Sequence, residues 1–222
     1  MDYGKAFTFV FDDEDWIKKL VIGGILSLIP IVNFIVLGYG LKVLKNVAEG
    51  AERPLPEWDD FGDYFVQGLM SFLGGLVWAI PLILVGMFSG LISYLTGYDV
   101  RSDQGFWYYS GNACTFGLSC LSALYGLLMG AVMPAANTKY AISREFAAFF
   151  RFGEIFKYIS ANLGTYIIAV LLTWVAQFIA GFGLILCCVG VVFTAFWGTL
   201  VGNHLMGQVY RFSTTSRPEA VA

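Results

Sequence analysis

From Thr165 to Tyr210 the chain carries no Asp, Glu, Lys or Arg. A membrane-crossing helix needs about 20 mostly apolar residues. This one stretch is therefore long enough for two helices and must turn within itself. The rest of the chain agrees: of 222 residues, 58% are apolar and 13% charged, against about 45–50% and about 25% in ordinary globular domains. A chain this short cannot hide so much apolar surface from water, because the buried fraction grows only slowly with size. The balance excludes a soluble enzyme and a disordered protein. A formal net charge of −3 also excludes a basic nucleic-acid binder. The expected fold is all-α, a polytopic bundle of transmembrane helices.

Two turns could divide the long stretch: Gly181-x-Gly183, and Cys187-Cys188-Val189-Gly190. The second gives more even halves and predicts helices over 165–186 and 190–210. Two further spans are predicted over 64–95, with Pro81 in its middle, and over 112–133. The region 16–48 is interrupted by Pro30 and Asn33. It is either one kinked helix or a hairpin turning at Ile29–Asn33.

Lys and Arg concentrate in cytoplasmic loops, and this rule arbitrates. Basic residues cluster at Lys18-Lys19, at Lys42, Lys45 and Arg53, at Lys139, Arg144, Arg151 and Lys157, and at Arg211 and Arg217. The loop from Thr96 to Gly111 carries only Arg101. A hairpin puts every other cluster on one side; a single span does not. The hairpin is the expected form, with both termini cytoplasmic, in a multi-pass protein of the inner or plasma membrane. Its first arm, Trp16 to Ile29, is about 21 Å long at 1.5 Å per residue, short enough to be re-entrant or to thin the bilayer locally. The first fifteen residues are acid-rich, unlike a signal peptide. Their run Asp12-Asp13-Glu14-Asp15 reads as a solvated face or a first helical turn.

Short amphipathic segments flank the spans. Phe61-Gly62-Asp63-Tyr64-Phe65 recurs 91 residues later as Phe152-Gly153-Glu154-Ile155-Phe156. Each copy precedes a predicted span, as in transporters built from repeats. Residues 143–160 are predicted to form one helix lying in the interface. Trp58, Phe61 and Phe152 on one side, and Trp107, Tyr108 and Tyr109 on the other, fit the headgroup level that aromatic rings favour.

Several ordered features carry a resemblance. They are Leu28-Ile29-Pro30-Ile31-Val32, Gly38-Tyr39-Gly40, Pro54-Leu55-Pro56-Glu57-Trp58-Asp59-Asp60-Phe61-Gly62-Asp63 and Gly68. Ala148-Phe149-Phe150-Arg151-Phe152-Gly153-Glu154-Ile155, Asn162 and the run Asn203–Arg211 complete them. Together they resemble a family of prokaryotic integral membrane proteins catalogued only as a domain of unknown function. The resemblance covers almost the whole chain. It implies several helices with short amphipathic stretches, and no activity. Where the family pattern expects an Ile-Pro-like turn near the last helix, this chain has Cys187-Cys188.

Three G-x-x-x-G spacings, Gly86/Gly90, Gly126/Gly130 and Gly198/Gly202, predict close helix packing, since small residues let backbones approach in lipid. Asn203, His204 and Gln208 form the polar cluster of the last helix, and His204 is the only histidine. Ionisable groups inside a membrane are costly and mark functional candidates. The sharp reading is a proton relay or substrate contact. The plain one is a histidine bonded to a neighbouring helix near the interface. No predicted span has an acid or base in its middle, which argues against an ion-coupled pump. On the outer face Cys114 could bridge to Cys187 or Cys188; otherwise the cysteines are small apolar fillers. Neither a metal set nor a catalytic constellation is present in the sequence pattern, and no cofactor is expected.

Two functions remain. One is an accessory or scaffold subunit that packs beside a larger membrane complex or itself, with lipid or pigment in its glycine-lined grooves. The other is a transporter or channel for lipid or small molecules. Membrane lipids and other membrane subunits are the expected partners, and nucleic acid is not.

Overall fold

The computed structural model describes residues 1–97, 106–185 and 190–216, with side chains for 1–95, 113–185 and 190–216. The described residues form helices and no strand. In chain order these are α1 (Tyr3–Thr8), α2 (Trp16–Ser27), α3 (Asn33–Glu49), α4 (Phe61–Gly97), α5 (Phe106–Ser143), α6 (Phe152–Ala161), α7 (Leu163–Gly181) and α8 (Gly190–Ser216). Single turns of 3-10 helix follow α1, α5 and α7, at Phe9–Asp12, Phe146–Phe150 and Phe182–Ile185. Among the described residues three helical segments are long and apolar enough to cross a membrane: Phe61–Leu95, Ala113–Ser143 and Leu163–Ile185.

Helix ends differ from the expected bounds where polar residues continue a helix past its apolar part. The span placed over 112–133 belongs to a helix that runs from Phe106 to Ser143. Pro134 lies within it and does not end it. The Ala135 N–H donates to Tyr166 Oη at 3.1 Å, so a hydroxyl from α7 takes up a backbone donor next to the proline. The single interfacial helix expected over 143–160 is broken instead. Arg144 takes a left-handed conformation, φ 57°, which ends α5. A 3-10 turn follows, and α6 starts only after Arg151. The proposed turn at Cys187–Gly190 falls largely on 186–189, outside the described residues.

The chain divides into two compact units, Met1–Gly74 with Met133–Ala222, and Gly75–Val132. In the first, α8 is the hub: α1, α2, α3 and α7 all pack on it. Its buried residues include Phe196, Leu200, Val201, Leu205 and Val209. Glycines set the crossings. A Cβ on Gly202 would meet Thr173 of α7, and one on Gly207 would meet the Leu44 carbonyl and Val47 of α3. Gly23 and Gly24 of α2 lie under Phe196 and Phe193. The closest approach is between α3 and the start of α4. There a Cβ at Gly38 would overlap the Tyr64 carbonyl oxygen, and one at Gly68 the Phe34 carbonyl oxygen. Only a residue without a side chain permits such backbone contact.

The second unit contains the later part of α4 and the earlier part of α5. Tyr125 Oη donates to the Trp78 carbonyl at 2.9 Å. Ser119 and Ser122 donate to the carbonyls of Thr115 and Leu118, four residues back. The hydroxyls are thus satisfied within the helix, as an apolar surrounding requires. Leu84, Met87, Phe88, Leu91, Phe116, Leu121 and Leu124 are all exposed.

Candidate functional site

The site is built on one face of α8. His204, Gln208, Arg211 and Thr215 recur at intervals of four, three and four, which places them along one stripe. Against this stripe the N-terminal segment folds back. Asp2 caps α1, its Oδ1 accepting from Lys5 N at 2.9 Å. The backbone of Asp2 is clasped by the Gln208 amide: Asp2 N donates to Oε1 at 3.0 Å, and Nε2 donates to Asp2 O at 2.8 Å. The same Nε2 donates to His204 Nδ1 at 3.2 Å. Phe9 stacks on the His204 ring with centroids 4.2 Å apart. Asn203 points elsewhere, donating to the Thr199 carbonyl at 3.0 Å and lying against Gly40 of α3.

Between these parts lies a cavity of about 620 Å³, lined by the α8 stripe, the N-terminal segment and residues 51–55. Its volume is that of a small-molecule site. The acidic run beside it is not a free patch. Asp12 pairs with Lys5 at 2.8 Å, Asp13 with Lys19 at 2.8 Å and Glu14 with Arg53 at 3.1 Å. The exposed Lys5 ammonium is favoured by its hydrogen bond and charge contact with Asp12, which raise its pKa.

A second constellation fixes the loop that supplies residues 51–55. Gly50 ends α3 at φ 83°, a left-handed cap that favours glycine. Asn46 Nδ2 donates to the Pro54 carbonyl, and Tyr39 Oη to the Pro56 carbonyl, both at 2.9 Å. Tyr64 Oη donates to the Glu57 carbonyl at 2.8 Å. Trp58 stacks on Tyr39 with centroids 4.0 Å apart and donates Nε1–H to the Lys19 carbonyl at 3.2 Å. Lys19 is buried and holds Asp13 and Glu57 at 2.8 and 2.6 Å. Burial alone would lower its pKa, but the two carboxylates outweigh it and the net shift is upward. Trp58 is therefore a packed and hydrogen-bonded residue, where the sequence suggested only an interfacial ring.

The remaining candidates separate. Gly198 lies within reach of Gln177, Ala176 and Ala180, and Gly202 of Thr173, all on α7. Gly86, Gly90 and Gly126 have nothing within 4 Å of a Cβ position; Gly130 is half-buried. Cys114 is exposed, while Cys187 and Cys188 lie outside the described residues. The side chains of Trp107, Tyr108 and Tyr109 also lie outside them. Phe61 and Phe152 are exposed and each begins a helix. Among the described residues no group of three His, Cys, Asp or Glu side chains gathers for a metal ion.

The two sequence echoes share a local structure. Gly62 and Gly153 are open, while Tyr64 and Ile155 are buried. The acid between them meets an arginine in both: Arg144 grips Asp63 with two bonds of 3.0 Å, and Arg151 Nε lies 3.9 Å from Glu154. Residues 22–189 match the family described as "Protein of unknown function (DUF4013)". The chain belongs to this family. Comparison with curated proteins and with solved structures gave no match. The DUF4013 match takes in the 54–60 loop, its aromatic supports Tyr39 and Tyr64, and the Gly38/Gly68 crossing. It stops before α8, so His204 and Gln208 lie beyond it.

Sequence reasoning missed the folded N-terminal segment. Its signal was present in Ala6, Phe9 and Val10, spaced three and four apart, and all three are buried. Acidic neighbours masked that short apolar stripe.

Proposed function

We propose that this chain is a non-catalytic integral membrane protein acting as an accessory or scaffold subunit, packed against a larger membrane complex or against copies of itself. The observation that carries this is the bareness of α4 and α5. Their most apolar windows are only 6% buried, against 28% in α7, and Gly86, Gly90 and Gly126 are open. A glycine inside a helix forfeits about 1 kcal/mol relative to alanine. The loss is offset when another helix seats closely on it. Lipid or pigment in the same grooves fits this reading.

The topology that goes with it has four full spans, over 64–95, 112–133, 165–186 and 190–210, after a short N-terminal hairpin over 16–48. Both termini face the cytoplasm of a prokaryotic cell. At 27 residues, α8 is about 40 Å long, and its polar residues are tolerable because neighbours cover them. The paired 61–65 and 152–156 segments support an internal duplication.

The test is purification in mild detergent with Cys introduced at Gly86 or Gly126 and a thiol crosslinker. A crosslink to another membrane subunit or to a second copy is expected. A protein that stays monomeric and uncrosslinked, with co-purification unchanged by Gly86→Leu and Gly126→Leu, would overturn the reading. Protease attack on tags at both termini from the cytoplasmic side alone is the expected topology result. A second reading, a transporter for lipid or small molecules, draws its support from the 620 Å³ cavity.

A further inference from the structure

We propose that the cavity over the α8 stripe binds an amphiphile with an anionic head, a carboxylate or phosphate carried on an apolar body. This goes beyond the subunit reading and does not depend on it. The first argument is the state of His204. The Gln208 amide is oriented by Asp2, whose N–H must meet Oε1. Its Nε2 then has two hydrogens, one given to Asp2 O and the other to His204 Nδ1. Nδ1 is therefore the acceptor, and the proton of a neutral ring sits on Nε2. His204 is only 5% exposed, and Nε2 has no partner among the described residues. Yet it is not one of the fully buried unpaired atoms, which are Tyr158 Oη and Trp197 Nε1. The His204 ring lines the cavity. The floor thus presents one N–H donor lacking an acceptor.

The second argument is charge. Arg211 lies seven residues on, with its guanidinium against Gly50 at the end of α3, where helix carbonyls favour a cation. Among the described residues it makes no ion pair, whereas Asp12 and Asp13 are neutralised and Asp2 serves as a cap. Among the described residues Asp2 and Glu52 are the two lining carboxylates without an ion pair, and both are exposed. A head bearing acceptor oxygens satisfies both His204 and Arg211. Phe9, Val47, Leu55 and Phe212 supply the apolar wall for its body.

The full-length protein in non-ionic detergent is titrated with octyl phosphate, octanoate and octanol, following Tm and heat of binding. Octyl phosphate and octanoate should raise Tm saturably and octanol should not. Arg211→Gln should weaken octyl phosphate by about tenfold, the loss of one charge-assisted contact. His204→Phe, which keeps a ring against Phe9, should weaken it as well. Glu52→Gln should tighten it. Arg211 and Glu52 are exposed, so their variants test the site even if His204→Phe does not fold. Equal binding of octanol, or an Arg211→Gln protein that binds octyl phosphate as wild type does, would sink the proposal. Native mass spectrometry then separates the sources. An acidic phospholipid displaced by octyl phosphate marks a bilayer ligand. An empty protein that still takes octyl phosphate marks a soluble one. A phospholipid that octyl phosphate fails to displace counts against this cavity as its seat.

Discussion

The later part of α4 and the whole of α8 obey opposite rules. In α4, Leu84, Met87, Phe88 and Leu91 stand exposed and its glycines 86 and 90 touch nothing. In α8, Asn203, His204 and Gln208 are set among neighbours and its glycines 198, 202 and 207 are pressed by them. In water the more apolar helix would be the buried one. In lipid apolar surface costs nothing to expose, so burial follows polarity and small size instead. The glycines of this chain therefore differ by location, although their spacing in sequence is the same.

The sharpest way to break that contrast is at the α3–α4 crossing. Gly68→Val would force backbone apart and is expected to abolish a monodisperse particle on size exclusion, a cost of about 3 kcal/mol or more. Trp58→Ala removes a stacked ring and a hydrogen bond, and should cost about 3 kcal/mol, read as a lower Tm. Lys19→Ala leaves Asp13 and Glu57 unpaired. It should cost about 2 kcal/mol, less than the 3–5 kcal/mol of a fully buried pair, because the Glu57 side chain is 60% exposed. Arg144→Gln loses a surface pair and should cost about 0.5–1 kcal/mol. Gly86→Ala and Gly126→Ala should change the Tm of the isolated protein by no more than about 0.5 kcal/mol equivalent. A large loss there would erase the distinction between the two kinds of glycine.

Helical class, and helices long and apolar enough to cross a membrane, were legible because uncharged length reads directly on that property. The contrast between bare and pressed glycines was not, since G-x-x-x-G describes one helix and says nothing about which surface another helix covers. Gly38, Gly40 and Gly68 entered only through a resemblance, and the structure shows what they do: Gly38 and Gly68 carry the tightest crossing, and Gly40 seats the Asn203 amide. His204 and Gln208 were visible as polar residues in an apolar helix. Their link to Asp2 was not, because it joins residues 206 apart in the chain. The packing of Trp58 was illegible for a related reason. Its partners Tyr39 and Lys19 come from two other helices, and local pattern gives no distance between them.

The hub position of α8 has a consequence for biogenesis. In synthesis α8 follows α1, α2, α3 and α7, yet all four use it as their shared surface. Until it arrives, the earlier segments lack the surface they pack on. Assembly of the first unit is then a late event, and a nascent chain cut short before Gly190 offers quality-control proteases a set of helices with nothing to gather around.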